Sequence, residues 1–161
     1  MKKIIINGDD FGLSSSINRG IIRAHREGIL TSASLMVNMP GFEGAARLSK
    51  ENPTLDLGVH INIYRGRPVL DHCKTKTLTD KNGFFLGDIF KIVGRICSKR
   101  MDFTELEAEC DAQIRKALDN NLKITHLDSE KHLHLIFPFY IIIAKLAQKY
   151  GISKIRKVNE Y

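Results

Sequence analysis

The chain has 161 residues, 43% of them hydrophobic, enough for one sizeable core and too few for two, so a single domain over 1–161 is expected. Its 25 basic and 18 acidic residues leave a net charge of +7, yet the basic residues are scattered and never interleaved with aromatics, which argues against a nucleic-acid partner. Met1-Lys2-Lys3 leads straight into a short apolar run, no span is long enough for a bilayer, and Cys73, Cys97 and Cys110 lack metal-binding spacing. A cytoplasmic protein with reduced thiols and no membrane attachment is the expectation.

In chain order, strands and helices alternate. Ile4, Ile5 and Ile6 form a β-branched run without helical spacing and predict a buried first strand, which ends in Asn7-Gly8-Asp9-Asp10-Phe11-Gly12. Ser14, Ser15 and Ser16 offer caps for the next helix, where Ile17, Ile21 and Ala24 recur at helical spacing up to Gly28. Two acids are therefore more than capping requires. Thr31 to Val37 reads as a second strand, Phe42 to Lys50 as a helix, and Leu57 to Ile63 as a third strand carrying His60 and Asn62. Tyr64 to Phe85 has no sustained periodicity, and a connection of that length is expected to overhang a site. Asp88 to Arg100 is helical, and Thr104 with Glu107 is a capping-box pair opening a longer helix to Asn120. Lys123 to Leu127 predicts a fourth strand, followed by Asp128-Ser129-Glu130-Lys131-His132-Leu133-His134. Pro138 stands near the start of a helix over Phe139 to Tyr150, and Lys154 to Val158 reads as a fifth strand. The alternation implies parallel pairing with right-handed crossovers, an α/β fold. The last strand has no helix after it to cover its face, the pattern of a fragment or truncated form.

Acids or imidazoles stand at three strand ends: Asp9 and Asp10, His60, and the stretch from His126 to His134. In a parallel sheet or barrel these ends lie on one side, so distant residues converge. Carboxylates with imidazoles suit a divalent ion such as zinc, or magnesium where carboxylate and water predominate, and a further unligated Asp can take a proton from metal-bound water. Plainer readings exist: His60 as a hydrogen-bonded core histidine, Asp128-Ser129 as a turn or cap, and His132 and His134 as loop residues on one side. Two other α/β sites fail on these positions. A phospho-receiver domain needs an acid where His60 and Asn62 stand, and the haloacid-dehalogenase pattern needs acids two apart.

Four stretches in order, Asn7-Gly8-Asp9-Asp10-Phe11-Gly12-Leu13-Ser14, Thr31-Ser32-Ala33-Ser34-Leu35-Met36-Val37-Asn38, Gly58-Val59-His60-Ile61-Asn62, and Thr125-His126-Leu127-Asp128-Ser129 with Lys131-His132-Leu133-His134, resemble the YdjC/ChbG family of carbohydrate deacetylases. The resemblance runs over essentially the whole chain. It implies a TIM-barrel-like fold of the polysaccharide-deacetylase kind, a divalent metal ion (magnesium or zinc), and hydrolysis of the N-acetyl group of an N-acetylglucosamine-containing oligosaccharide. By this resemblance Asp9 is the general base, Asp10 and His60 are metal ligands, and Glu130 occupies the place of a third ligand that is usually a histidine. A carboxylate there favours harder ions, with Lys131 placed to offset its charge. The alternatives are that His132 or His134 ligates instead, or that the site is an inactive sugar- or metal-binding remnant. Asn62, His132, His134 and Arg156 are the residues expected to bind substrate. Members of the family continue through a later His-Pro-Gly segment thought to serve the acid step, which this sequence lacks. A barrel lacking strands exposes two edges that a second copy would cover.

Overall fold

A computed structural model of the chain describes residues 4–157. Five strands, β1 (Asn7–Phe11), β2 (Ser32–Leu35), β3 (Asp56–Ile61), β4 (Ile124–Ser129) and β5 (Lys154–Ile155), form one sheet in that order, each neighbouring pair parallel. Helices α1 (Ser15–Glu27), α2 (Phe42–Glu51), α3 (Ile89–Cys97), α4 (Phe103–Asp119) and α5 (Phe139–Lys149) lie in the connections. The α/β architecture is as the alternation predicts. A doubly wound sheet reverses its strand order part-way, and this one does not. With right-handed crossovers, an unreversed order puts every helix on one face, which is how a (β/α) barrel is wound. Among the described residues the sheet is open, with β1 and β5 at its edges.

The strand sequences account for two unlike faces. Ala33, Leu35, Leu57, Val59, Ile61 and Leu127 are buried in an apolar core with Ile21, Ala45, Ile114 and Ile143 of the helices. Strand alternation puts Ser32, Ser34, Gly58, His60, His126 and Asp128 on the other face. A parallel sheet covered by helices on both faces reads as continuous apolar runs. Here every second residue is polar or Gly, and a cavity of about 480 Å³ opens on that side, lined by Asn7, Ser32, Asp56, His126, Lys154 and Arg156 among others.

Several element boundaries differ from those predicted: β2 ends at Leu35 and not Val37, β3 at Ile61 and not Ile63, α3 at Cys97 and not Arg100, and β4 runs on to Ser129. Ladder bonding to the β2 segment starts at Ile6, whose N–H donates to the Thr31 hydroxyl and whose carbonyl accepts from the N–H groups of Thr31 and Ser32. Ile4 and Ile5 precede any such partner and are exposed, so the buried strand predicted for Ile4–Ile6 is corrected to Asn7–Phe11. Helix α4 is capped by Asp102, not Thr104: the Asp102 carboxylate accepts the Thr104 N–H at 2.7 Å. A charged acceptor just upstream outcompetes the Thr hydroxyl, which itself donates to Asp102. Val158, the predicted end of β5, lies outside the described residues. The long segment after β3 is pinned to α4, where the buried Glu109 carboxylate accepts the N–H groups of Val69 and Leu70 at 2.9 and 3.0 Å. No helix among the described residues is long and apolar enough to cross a membrane.

Candidate active site

The two acids of β1 sit at a bulge. Gly8 pairs with Ala33 and Phe11 with Leu35, so Asp9 and Asp10 both stand opposite Ser34, with Asp10 at φ 65°. Gly12 follows at φ 96°, where a Cβ would lie 2.5 Å from the Met36 carbonyl oxygen, so only glycine brings the chain this close to the end of β2.

His60 is the centre of the arrangement. It is buried on β3, and its Nδ1 lies 2.8 Å from Oδ1 of Asp128, its direct register partner on β4. Asp128 Oδ2 accepts from the Ser34 hydroxyl at 2.7 Å and from Arg156 Nη1 at 3.2 Å. In the neutral ring, an Nδ1–H donated to Asp128 leaves the imidazole lone pair on Nε2. That atom faces Glu130 Oε2 at 3.4 Å and Asp10 Oδ1 at 3.9 Å.

Two sets of ligand-type atoms lie within 4.8 Å of one another, Asp10-His60-Glu130 and Asp9-His60-Asp128. The second is already engaged. Asp128 holds the imidazole, while Arg156 Nη1 donates to both Asp9 oxygens at 2.7 and 2.9 Å and Asn7 Nδ2 donates to Asp9 Oδ1 at 2.7 Å. In the first set Asp10 Oδ1 is buried without a hydrogen-bond partner among the described residues. Two carboxylates and an imidazole nitrogen around an unpartnered oxygen fit a divalent cation, and the Asp128–His60 pair is the outer support that metal-binding histidines commonly have.

Without an ion, the carboxylates around His60 favour a proton on it, which Nε2 would have to lose in order to ligate a cation. Burial opposes a charge on His60, but hydrogen bonding to Asp128 and Glu130 outweighs it and pushes the imidazole up to about 9. Asp128 is held at about 2 against its burial, chiefly by the hydrogen bond to His60. Glu130 is likewise held at about 2 against its burial, by His60 and Arg65. Asp10 moves the other way: burial raises it, and the neighbouring Glu130 carboxylate raises it further. Asp10 is thus the acid for which the protein supplies least compensation, and a bound cation would supply it.

Asp9, Asp10, His60 and Glu130 converge as strand-end reasoning expects. Arg156, expected to face substrate, reaches Asp9 and Asp128. Asn62 is fully buried: its Nδ2 donates to Asn38 Oδ1 and the Arg65 carbonyl, and its Oδ1 accepts the N–H groups of Tyr64 and Arg65. His134 is also fully buried, with Nδ1 2.7 Å from the Ser129 hydroxyl and Nε2 3.0 Å from the Arg156 carbonyl oxygen. His132 has φ 52° and a buried Nδ1 without a partner among the described residues. Two residues outside the expected set belong to the site, Asp128 and Arg65. Arg65 Nη2 donates to Glu130 Oε1 at 2.5 Å, whereas Lys131, expected to offset this charge, is 3.5 Å away.

The YdjC-like protein family matches residues 3–161 of this sequence. The chain belongs to the YdjC-like family. It is 41% identical over 150 residues to a carbohydrate deacetylase of Brevibacillus brevis, covering 93% of this chain and 57% of the relative. To a carbohydrate deacetylase of Listeria monocytogenes it is 39% identical over 152 residues, covering 94% of this chain and 59% of the relative. A crystal structure from Enterococcus faecalis, described as a candidate cellobiose-phosphate cleavage protein, matches with a TM-score of 0.86 at 28% identity, covering 97% of this chain and 59% of that one. This YdjC-like chain therefore spans less than two thirds of the length of each.

Proposed function

We propose that the protein is a metal-dependent hydrolase that removes the N-acetyl group from an N-acetylglucosamine-containing oligosaccharide, with its base and its metal ligands in this chain. The observation that carries the reading is a ligand set, Asp10, His60 and Glu130, beside an acid outside that set, Asp9. The carbohydrate deacetylases among its relatives support the reaction class. A divalent ion, magnesium or zinc, held by these three residues supplies Lewis-acid polarisation of the amide carbonyl and acidifies water. Asp128 holds the His60 ring through Nδ1, so that Nε2 would be the atom to ligate an ion, and Arg156 and Asn7 orient Asp9. Asp9 takes a proton from the attacking water, the acetyl carbon gains the water oxygen, and as the C–N bond breaks the proton held on Asp9 passes to the departing amine. Cys73, Cys97 and Cys110, all unpaired, support a reducing, cytoplasmic setting.

Metal-loaded protein is expected to release acetate from diacetylchitobiose, and Asp9→Asn to lower that rate by about 10² to 10⁴ while divalent-ion binding by calorimetry is retained. No acetate from the loaded protein, or an undiminished Asp9→Asn, overturns the reading. A second reading, a binding protein without turnover, is favoured by the Glu130 carboxylate being shared with Arg65. It predicts ion binding by calorimetry with no acetate release after reconstitution.

A further inference from the structure

We infer that Arg65 is a positioning residue for the metal centre: by taking one oxygen of Glu130 it makes a carboxylate workable at that position and sets which ions the centre prefers. The inference rests on the metal-centre reading above.

The carboxylate of Glu130 is divided between two tasks. Oε1 receives Arg65 Nη2 at 2.5 Å, and Oε2 faces His60 Nε2 at 3.4 Å. One guanidinium donor, Nη2, makes this contact, and a planar guanidinium is a more pre-organised donor than a flexible ammonium such as Lys131. Arg65 is itself held from below. Its N–H donates to Asn62 Oδ1 at 3.0 Å, and its carbonyl accepts from Asn62 Nδ2 at 2.9 Å and Asn38 Nδ2 at 3.3 Å. The backbone of Asn62 is clamped in turn by Gln113 of α4, whose Oε1 accepts the Asn62 N–H at 2.9 Å and whose Nε2 donates to the Asn62 carbonyl at 2.8 Å. The guanidinium carbon lies 5.5 Å from the Tyr64 ring centroid. A long side chain is thus given one address, from a backbone gripped by residues that follow β2, β3 and lie on α4.

The charge balance gives this grip a purpose. Asp9 is paired with Arg156 and Asp128 with His60, so the two acids left for the ion are Asp10 and Glu130. Arg65 cancels part of that charge. A neutral imidazole at position 130 would leave the guanidinium beside the ion with no counter-charge, so residues 65 and 130 form a matched unit.

The test is a double-mutant cycle read by calorimetric Zn²⁺ binding to the full chain: wild type, Arg65→Met, Glu130→His and the double variant, each checked for folding by circular dichroism. The change in Zn²⁺ affinity caused by Glu130→His is expected to be at least about tenfold less favourable with Arg65 present than with Met at that position. A general structural role for Arg65 would not make its removal favour histidine at position 130. Fold-changes equal within about threefold in the two backgrounds, or binding lost from both Glu130→His proteins, overturn the inference. If Arg65→Met does not fold, Arg65→Gln takes its place in the same cycle. Failure of wild type to bind Zn²⁺, Mg²⁺ or Mn²⁺ would remove the metal centre and the proposed function together, whereas binding with an uncoupled cycle removes only the role of Arg65.

Discussion

Asp128 would not touch an ion held by Asp10, His60 and Glu130, yet it decides which nitrogen of His60 can. Asp128→Asn keeps the shape and loses the charge that holds the ring, so divalent-ion affinity should fall about 10- to 100-fold by calorimetry, with little change in fold. Wild-type affinity in that variant would show that the pairing does not tune the centre. At this scale the sequence is uneven in what it reveals. Asp9, Asp10, His60 and Glu130 are legible because each sits at or near a strand end, where parallel sheets gather chemistry. Asp128 carries a fainter signal: it lies two residues beyond His126, on the same face of β4, so alternation alone aims it at the site. Arg65 carries no signal, because it lies in an aperiodic stretch and is placed by hydrogen bonds to Asn62 and Asn38, which no local pattern encodes.

Among the elements, the turn after β1 and the α4–α5 contact each make a measurable claim. Gly12→Ala would force a Cβ against the Met36 carbonyl at a φ that disfavours side chains, and should cost on the order of 2 to 3 kcal/mol in denaturant unfolding. A cost near zero would mean that the turn relaxes freely. Between α4 and α5, Asp111 accepts from Lys149 Nζ at 2.6 Å and from the Tyr150 hydroxyl at 2.7 Å. Burial alone would raise this carboxyl, but those two bonds hold it below its ordinary 3.8. An acid with a lowered native value adds stability above its unfolded value and loses that stability as pH falls through the native one. Asp111→Asn should therefore lower the thermal midpoint near neutral pH, and the gap from wild type should shrink as the pH drops below 3.8. A gap that does not change with pH would assign the effect to packing. The order of helices and strands is legible, the helices through their apolar spacing, but the β-branched run Ile4–Ile6 marks only the approach to β1 and not the strand itself. Boundaries are less so, since the start of β1 is set by where β2 offers a ladder partner and the start of α4 by a stronger cap at Asp102.

For the whole molecule, the decisive fact is an unreversed parallel order with helices on one side and a polar face on the other. Alternation in Ser-Ala-Ser-Leu of β2 and in Leu-Gly-Val-His-Ile of β3 encodes that asymmetry, so the winding is legible as well as the class. Edge strands with unmet backbone groups recruit further backbone. The 161-residue chain on its own is therefore expected to self-associate, with a sedimentation coefficient that rises with concentration. A monomer at every concentration would show that the edges of β1 and β5 are protected.

The bulge in β1 has a consequence for how the strand tolerates change. In a regular strand, Gly8 facing outward would put Asp10 outward too, against the helices, and Phe11 inward among polar groups. Two residues opposite Ser34 shift the count by one, so Phe11 enters the apolar core and neither acid does. The bulge thus lets β1 present two acids where strict alternation has room for one, while Phe11 keeps its place in the core. Deleting either Asp is expected to remove the bulge and leave Phe11 opposite Leu35 in the core, with one acid left facing Ser34 in place of two.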